Sequence, residues 1–253
     1  MKLHVREYGE GSPVVILHGL LGCGDNWVPV AKALAACHHV LVPDQRNHGR
    51  SPHSDAFNHE LLAQDLEELL DRFDLATATV IGHSMGGKTA MQFALTRPAR
   101  VEKLIVVDIA PRRYRNDRMD VLNALNSIQP ARYSRRGDID HILAAHVPEQ
   151  ATRAFLLKNL GRDSSGALSW RPNLASLRDN VERILEAQDI PSSFVGPTLV
   201  LRGGASAYVS ETDTADIATL FPSARVHTIP RAGHWVHADA PADFLTVVND
   251  FLG

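Results

Sequence analysis

The chain has 253 residues, 44% of them hydrophobic and 22% charged, a composition that excludes intrinsic disorder and fibrous structure. Twenty-six basic and 29 acidic side chains give a formal net charge of −3, so no global basic field exists to hold nucleic acid. Cys23 and Cys37 are the two cysteines; they cannot build a disulfide framework, lack zinc-site spacing, and read as reduced thiols. The first ten residues carry no apolar core of a signal peptide, and no apolar run reaches the roughly 18 residues of a membrane span. The expectation is a cytoplasmic protein without a membrane partner.

In chain order, Leu3–Tyr8 alternates apolar and polar residues and predicts an antiparallel edge strand. Six short runs follow: Val14–Leu17, Val40–Val42, Thr79–Ile81, Leu104–Val107, Thr198–Leu201 and Arg225–Ile229. Most are apolar without alternation, as in strands buried on both faces of a parallel sheet. Helical spacing appears between them, in Leu61, Leu62, Leu66, Leu69, Leu70 and Phe73, in Ala90, Phe93 and Ala94, in Ile217, Leu220 and Phe221, and in Phe244, Val247, Val248 and Phe251. Strands alternating with amphipathic helices predict an α/β fold, a mostly parallel, doubly wound sheet. The alternation stops between Arg112 and Val195. That stretch shows helical patterning, as in Val121, Leu122, Leu125 and Phe155, Leu156, Leu157, Leu160, but no convincing strand. It reads as an insertion of three or four helices, a cap over the carboxyl edge of the sheet. The expected organisation is therefore a discontinuous core, 1–111 and 196–253, with a helical cap at 112–195.

Ligands of an open parallel sheet bind beyond the carboxyl ends of its strands, and those positions are unusually polar. The runs end in His18-Gly19, Asp44, His83-Ser84 and Asp108, and His234 follows the last. Gly82-His83-Ser84-Met85-Gly86 is a G-x-S-x-G turn between a strand and a helix. Such a turn strains its serine and lifts the hydroxyl above the sheet, while the flanking glycines let neighbouring backbone pass. Ser84 is therefore the candidate nucleophile. An alcohol needs a base, and the base needs an orienting acid. His234, in a Gly-rich turn after the last strand, is the candidate base, with His237 as rival. His18, His48 and His83 lie in tight loops where imidazoles hydrogen-bond backbone. Asp108 closes four apolar residues, is costly to bury unpaired, and is the candidate acid for His234. Two backbone N–H groups, of Leu20 and Met85, are placed to hold a developing oxyanion. Asp44 and Arg46, in Asp44-Gln-Arg-Asn-His-Gly-Arg-Ser51, read as internal ties of their loop. Asp213 and Asp216 are expected on a helix, facing solvent, and Cys23 as a small filler. No G-x-G-x-x-G or metal-ligand cluster is present, so no cofactor and no metal are expected.

The segments His18-Gly-Leu-Leu-Gly, Asp44-Gln-Arg-Asn-His-Gly, Gly82-His-Ser-Met-Gly-Gly-Lys88, Val107-Asp-Ile-Ala-Pro111 and Ala232-Gly-His-Trp-Val-His237 resemble the α/β-hydrolase superfamily, and within it the small YbfF-type bacterial esterases. The resemblance covers nearly the whole chain and is weakest in the cap. It implies a helical lid, hydrolysis of acyl esters and thioesters, and an acid placed after the strand preceding the usual one. The usual position lies in a G-x-x-D pattern, which reads Gly203-Gly204-Ala205-Ser206 in this chain; the resemblance thus agrees with Asp108. Its expected partner is a small acyl ester or thioester, acting on a monomer or small homo-oligomer. Perhydrolases and C–C bond hydrolases share the triad and remain alternatives, as does an idle ligand-binding relative. Between Arg112 and Arg136 stand seven arginines (112, 113, 115, 118, 132, 135, 136) and two aspartates (117, 120). This stretch reads either as a solvated, ion-paired face or as an attractor of anionic substrates.

Overall fold

The computed structural model describes residues 1–116 and 119–253. Its main sheet begins with β1 (Val5–Tyr8), β2 (Ser12–Leu17), β3 (His38–Pro43), β4 (Ala78–His83) and β5 (Val101–Val107). Two short strands, β6 (Leu160–Arg162) and β7 (Leu168–Trp170), form a separate hairpin; β8 (Thr198–Gly203) and β9 (Ala224–Ile229) complete the large sheet in the order β1-β3-β2-β4-β5-β8-β9. β1 pairs antiparallel with β3, Val5 opposite Pro43, and the other pairings are parallel. All seven expected strands are present. β4 is buried throughout, which is why its sequence does not alternate.

Two apolar layers cover the sheet. On one face lie α2 (His59–Arg72) and α3 (Met85–Thr96), packing Leu66, Leu70, Phe93 and Ala94 against Val15, Val80 and Val106. On the other lie α1 (Val28–Leu34) and α11 (Pro241–Leu252), packing Leu34, Phe244 and Val248 against Ile16, Ile81 and Ile105. α2 starts where Asn58 Oδ1 accepts the Leu61 N–H at 2.9 Å, an N-cap that fixes where the apolar stripe begins.

Between β5 and β8 run α4 (Met119–Ser127), α5 (Arg136–Leu143), α6 (Gln150–Leu157), α7 (Leu174–Asp179) and α8 (Val181–Leu185). Among the described residues this segment thus holds five short helices and the β6–β7 hairpin, more helices than expected and a hairpin that the periodicity misses. Leu160 begins β6 instead of continuing α6. Three-residue strands are too short to show a period of two; a turn at Asp163–Gly166 makes them, with Asp163 Oδ1 accepting the Ser165 and Ala167 N–H groups and Gly166 at φ 86°. The segment packs onto the core through Leu122, Leu125, Leu156 and Leu177, which meet Leu21, Phe57, Leu62 and Met85. Asp117 and Arg118 lie outside the described residues. Where the chain leaves and re-enters the core, the buried Lys88 Nζ on α3 donates to the Arg112 carbonyl at 2.8 Å and to the Glu186 carbonyl. One ammonium therefore ties both connections.

The loop after β3 is held by charge, as the sequence indicated. Asp44 accepts the Gly24 and Arg50 N–H groups at 2.7 and 2.9 Å. Arg46 grips Asp65 of α2 through Nε and Nη2, at 2.6 and 2.8 Å, with both residues buried. A buried charge stripped of its partner is strongly destabilising, while an exposed pair contributes little. Asp65→Ala is therefore expected to lower the unfolding free energy by about 3–5 kcal/mol in urea denaturation. Glu182→Ala, which removes the exposed partner of Arg113, is expected to cost less than about 1 kcal/mol. Equal losses in the two variants would contradict this account of the loop.

Candidate active site

Ser84 stands between β4 and α3 at φ 53°, ψ −118°, a conformation that a non-glycine residue holds only where its surroundings compel it. Its N–H donates to the Val107 carbonyl at 3.0 Å and its carbonyl accepts the Lys88 N–H at 3.0 Å. The turn is tight enough that a Cβ on Gly82 would lie 2.2 Å from the Gly86 carbonyl oxygen, and one on Gly86 would lie 2.4 Å from that of Leu17. Both glycines of the motif are thus required by close backbone approach, and the serine between them is half-exposed at the amino end of α3.

Asp108 follows β5 directly. It is fully buried and also at positive φ, 51°. Three donors surround its carboxylate: the Gly203 N–H reaches Oδ1 at 3.0 Å, while Ser206 Oγ and His234 Nδ1 reach Oδ2 at 2.5 and 2.8 Å. His234 comes from the turn after β9, so the ends of three neighbouring strands converge on one carboxylate. Ser206 occupies the usual acid position of the G-x-x-D pattern, and its hydroxyl serves the carboxylate one strand over. Tyr208, two residues on, lays its ring on the His234 imidazole with centroids 3.8 Å apart and planes 19° from parallel. Neither supporting residue was singled out from the sequence, although the Gly203–Ser206 spacing carried a signal for Ser206.

Ser84 and His234 line a common cavity of about 410 Å³ with Leu20, Trp27, Phe155 and Trp235. Leu20 belongs to the turn Gly19–Gly22, closed by the Gly22 N–H on the Gly19 carbonyl at 2.9 Å. Met85 is the first residue of α3, and an N–H there has no carbonyl partner within its own helix. The sequence-derived set of Ser84, Asp108, His234, Leu20 and Met85 is thus gathered around the ends of β2, β4, β5 and β9.

The rival His237 does not meet Asp108. It is buried, stacked on Trp27 with centroids 3.8 Å apart, and lines the cavity beyond His83. The remaining loop histidines bond backbone. His18 Nδ1 donates to the Gly19 carbonyl at 2.8 Å while Nε2 accepts the Gln45 N–H at 2.9 Å. His48 Nδ1 donates to the Arg46 carbonyl at 2.9 Å while Nε2 accepts the Leu21 N–H at 3.1 Å. His83 Nε2 donates to the His234 carbonyl at 2.9 Å. Each of His18 and His48 uses one nitrogen as donor and one as acceptor, which only the neutral ring can do. Burial pushes His18 down to about 4, and His48 and His237 to about 3, while His83 falls well below the ordinary histidine value. Burial, with the Asp44 charge second, raises the Cys23 thiol, in keeping with its reading as an inert filler.

One expectation requires correction. Asp213 is buried, not solvent-facing: it accepts the Ser210 N–H at 2.7 Å and pairs with Arg112 at 2.7 Å. The reason is local, because a capping box turns it inward just before α9 (Thr214–Leu220); Asp216 is exposed as expected. For the arginine-rich stretch, Arg113 pairs with Glu182 and Arg135 with Asp138. Among the described residues none of those arginines lines the cavity, whereas Lys158 does. The ion-paired reading fits this arrangement. No group of three or more His, Cys, Asp or Glu side chains that could hold a metal occurs among the described residues, and no helix among them is long and apolar enough to cross a membrane.

This strand order, with a strained serine at the elbow after β4, is the architecture of the α/β-hydrolase fold, and comparison with known proteins gives the same class. Residues 12–189 match the family model of the alpha/beta hydrolase fold. The chain is 40% identical over 253 residues to the sn-1-specific diacylglycerol lipase ABHD11 of Danio rerio, covering 96% of this chain and 79% of that protein. It is 37% identical over 258 residues to esterase YbfF of Escherichia coli (strain K12), covering 100% and 99%. Among solved structures it resembles a marine microorganism esterase at 40% identity and a TM-score of 0.96, covering 99% of both chains. The chain belongs to the α/β-hydrolase fold family, in the group that holds the YbfF-type esterases.

The neutral, buried histidines make the fold sensitive to acid. Below pH 6.5 the unfolded chain binds a proton at each, while the folded chain does not until about pH 4 for His18 and about pH 3 for His48 and His237. The stability they provide is complete above about pH 6.5 and drains as pH falls toward 4, by up to about 1.4 kcal/mol per pH unit for each histidine. Tm is therefore expected to fall steeply between pH 6.5 and 4.5 in a calorimetric series. A flat Tm across that range would show that these rings are not held neutral.

Proposed function

We propose that the protein hydrolyses carboxylic esters of short- to medium-chain acids in two acyl-transfer steps, with Ser84 as nucleophile, His234 as general base and acid, and Asp108 as the group that orients it. The single observation that carries this reading is the 2.8 Å contact of His234 Nδ1 with the buried Asp108 carboxylate, on a ring that shares its cavity with the strained Ser84. The esterase and lipase names of the relatives point to the same chemistry.

Asp108 places the proton on Nδ1 and leaves the Nε2 lone pair for the serine. As Ser84 Oγ bonds to the ester carbonyl carbon, its proton passes to His234 Nε2. The carbonyl oxygen takes the negative charge, which the Leu20 and Met85 N–H groups and the amino end of α3 offset. Collapse breaks the bond to the leaving oxygen, and His234 returns the proton to the departing alcohol. Water then attacks the acyl-serine, gives its proton to the same nitrogen, and the acid leaves as the proton returns to Ser84. Tyr208, stacked on the imidazole, offers a π face to the transient imidazolium. The acyl chain lies against Val121 of α4, Ala151 and Phe155 of α6, and Trp235, which line the cavity. Thioesters of the same acids present the same carbonyl to the same groups and fall within the proposed range.

Ser84→Ala is expected to lower kcat for p-nitrophenyl esters at least about 10⁴-fold with Tm unchanged, and a fluorophosphonate probe is expected to label Ser84 of the parent protein. Asp108→Asn is expected to cost about 10⁴-fold through the wrong imidazole tautomer. Lengthening the acyl group is expected to raise kcat/KM by up to about fourfold per methylene, from about 0.8 kcal/mol each, until the cavity is full. Appreciable hydrolysis by Ser84→Ala would overturn the proposal.

A further inference from the structure

Another residue in a left-handed conformation lies near Ser84 and Asp108. Leu21 adopts φ 59°, which a non-glycine residue holds only where something outside it maintains the strain. Both of its peptide groups are held. Its N–H donates to His48 Nε2 at 3.1 Å, and its carbonyl accepts from Asn159 Nδ2 at 2.7 Å. His48 is wholly buried, and its Nδ1 bond to the Arg46 carbonyl leaves Nε2 as the acceptor. Asn159 is buried as well, and its own carbonyl accepts the Arg171 N–H at 2.9 Å. One of these groups belongs to the core loop after β3. The other belongs to the helical segment, two residues beyond α6.

We infer that Asn159 and His48 are positioning residues for ester hydrolysis: by clamping the two peptide groups of Leu21 they set the turn that aims the Leu20 N–H at the oxyanion, so the oxyanion hole is complete only with the helical segment docked. This rests on Leu20 being an oxyanion donor, as proposed above. The geometry makes the dependence direct. Gly19, Leu20, Leu21 and Gly22 form one hydrogen-bonded turn, and with Asn159 gone the Leu21 carbonyl loses the partner that offsets its strain. Relaxation of Leu21 to negative φ reorients the peptides on either side of it. α6 also lines the cavity with Ala151, Phe155 and Leu156. The wall that meets the acyl chain and the clamp that sets the oxyanion hole are thus consecutive parts of one chain segment, and a displaced wall carries the clamp with it.

The decisive variants are Asn159→Ala and Asn159→Asp, the latter nearly isosteric but presenting a carboxylate to the Leu21 carbonyl. With kcat normalised to the fraction of molecules that a fluorophosphonate labels at completion, both are expected to lose about 10- to 100-fold in kcat, with KM within about twofold. Affinity for an alkyl trifluoromethyl ketone, whose carbonyl adds Ser84 Oγ and leaves an oxyanion in the hole, is expected to fall by the same factor. His48→Gln keeps an acceptor near the Nε2 position and is expected to retain most activity, whereas His48→Leu follows the Asn159 variants; if His48→Leu does not fold, the Asn159 pair decides. The inference is overturned if Asn159→Ala matches the parent in normalised kcat and ketone affinity. It is equally overturned if the whole loss appears in KM or in the labelled fraction, as a merely structural role would give. Failure of the functional reading looks different: Ser84→Ala would then retain activity, whatever Asn159 does.

Discussion

The structure depends on one buried carboxylate. Asp108 has no contact with solvent, and an isolated charge in that position would cost more than the fold could tolerate. It persists because three donors converge on it: the backbone of β8 at Gly203, the hydroxyl of Ser206 and the ring of His234. Those donors come from beyond β5 in sequence, and they can meet only if β5, β8 and β9 lie side by side in register. The electrostatic demand of one side chain therefore positions the imidazole at the cavity that Ser84 also lines. In the proposed mechanism, catalytic order is a by-product of satisfying a charge.

The same logic explains the buried histidines beside the site. His18, His48 and His83 are buried beside the site and bond main-chain groups of the loops around it. An imidazole with one donor and one acceptor nitrogen can bridge two backbone groups with a single rigid ring. Burial keeps these rings neutral, so they add no charge that would compete with His234 for Asp108. The ring proposed to carry the chemistry is the half-buried one that is paired with a carboxylate.

Legibility in the sequence follows from the range of the interactions. The seven strands of the sheet and the helices α2, α3, α9 and α11 were readable because burial on one or both faces writes itself into local periodicity, whereas the seven-residue α1 was not. Ser84 was readable because its strain demands glycines within two residues, and Asp108 because a carboxylate at the end of an apolar run requires a partner. The β6–β7 hairpin was not readable, since three-residue strands carry no period and its turn is made by Asp163 side-chain bonds. The burial of Asp213 was missed because the capping box with Ser210 that turns it inward leaves no mark on apolar periodicity, and Arg112, which pairs with it, lies 101 positions away. Asn159 gave no local signal, because its bond to Leu21 spans 138 residues and its neighbours would look the same without it.

Those long-range bonds share a geometric theme, which accounts for the segment between β5 and β8 being so firmly joined to the core despite its small elements. Lys88 ties the two connections at its base. Asn47, in the loop after β3, donates to Ser176 Oγ on α7 at 3.1 Å and accepts the Asn173 N–H with its carbonyl at 2.9 Å. His59 on α2 donates through Nε2 to the Ile184 carbonyl at 2.9 Å. Each tie is a buried polar bond, which contributes modestly when made but is costly to leave unmade. Apolar packing could hold such a segment in many nearly equal positions; a set of directional bonds to the loop bearing His48 and to α2 and α3 selects one. An enzyme whose cavity wall and oxyanion turn lie on different parts of the chain needs that selection, because an apolar surface alone cannot specify the sub-ångström placement that catalysis requires.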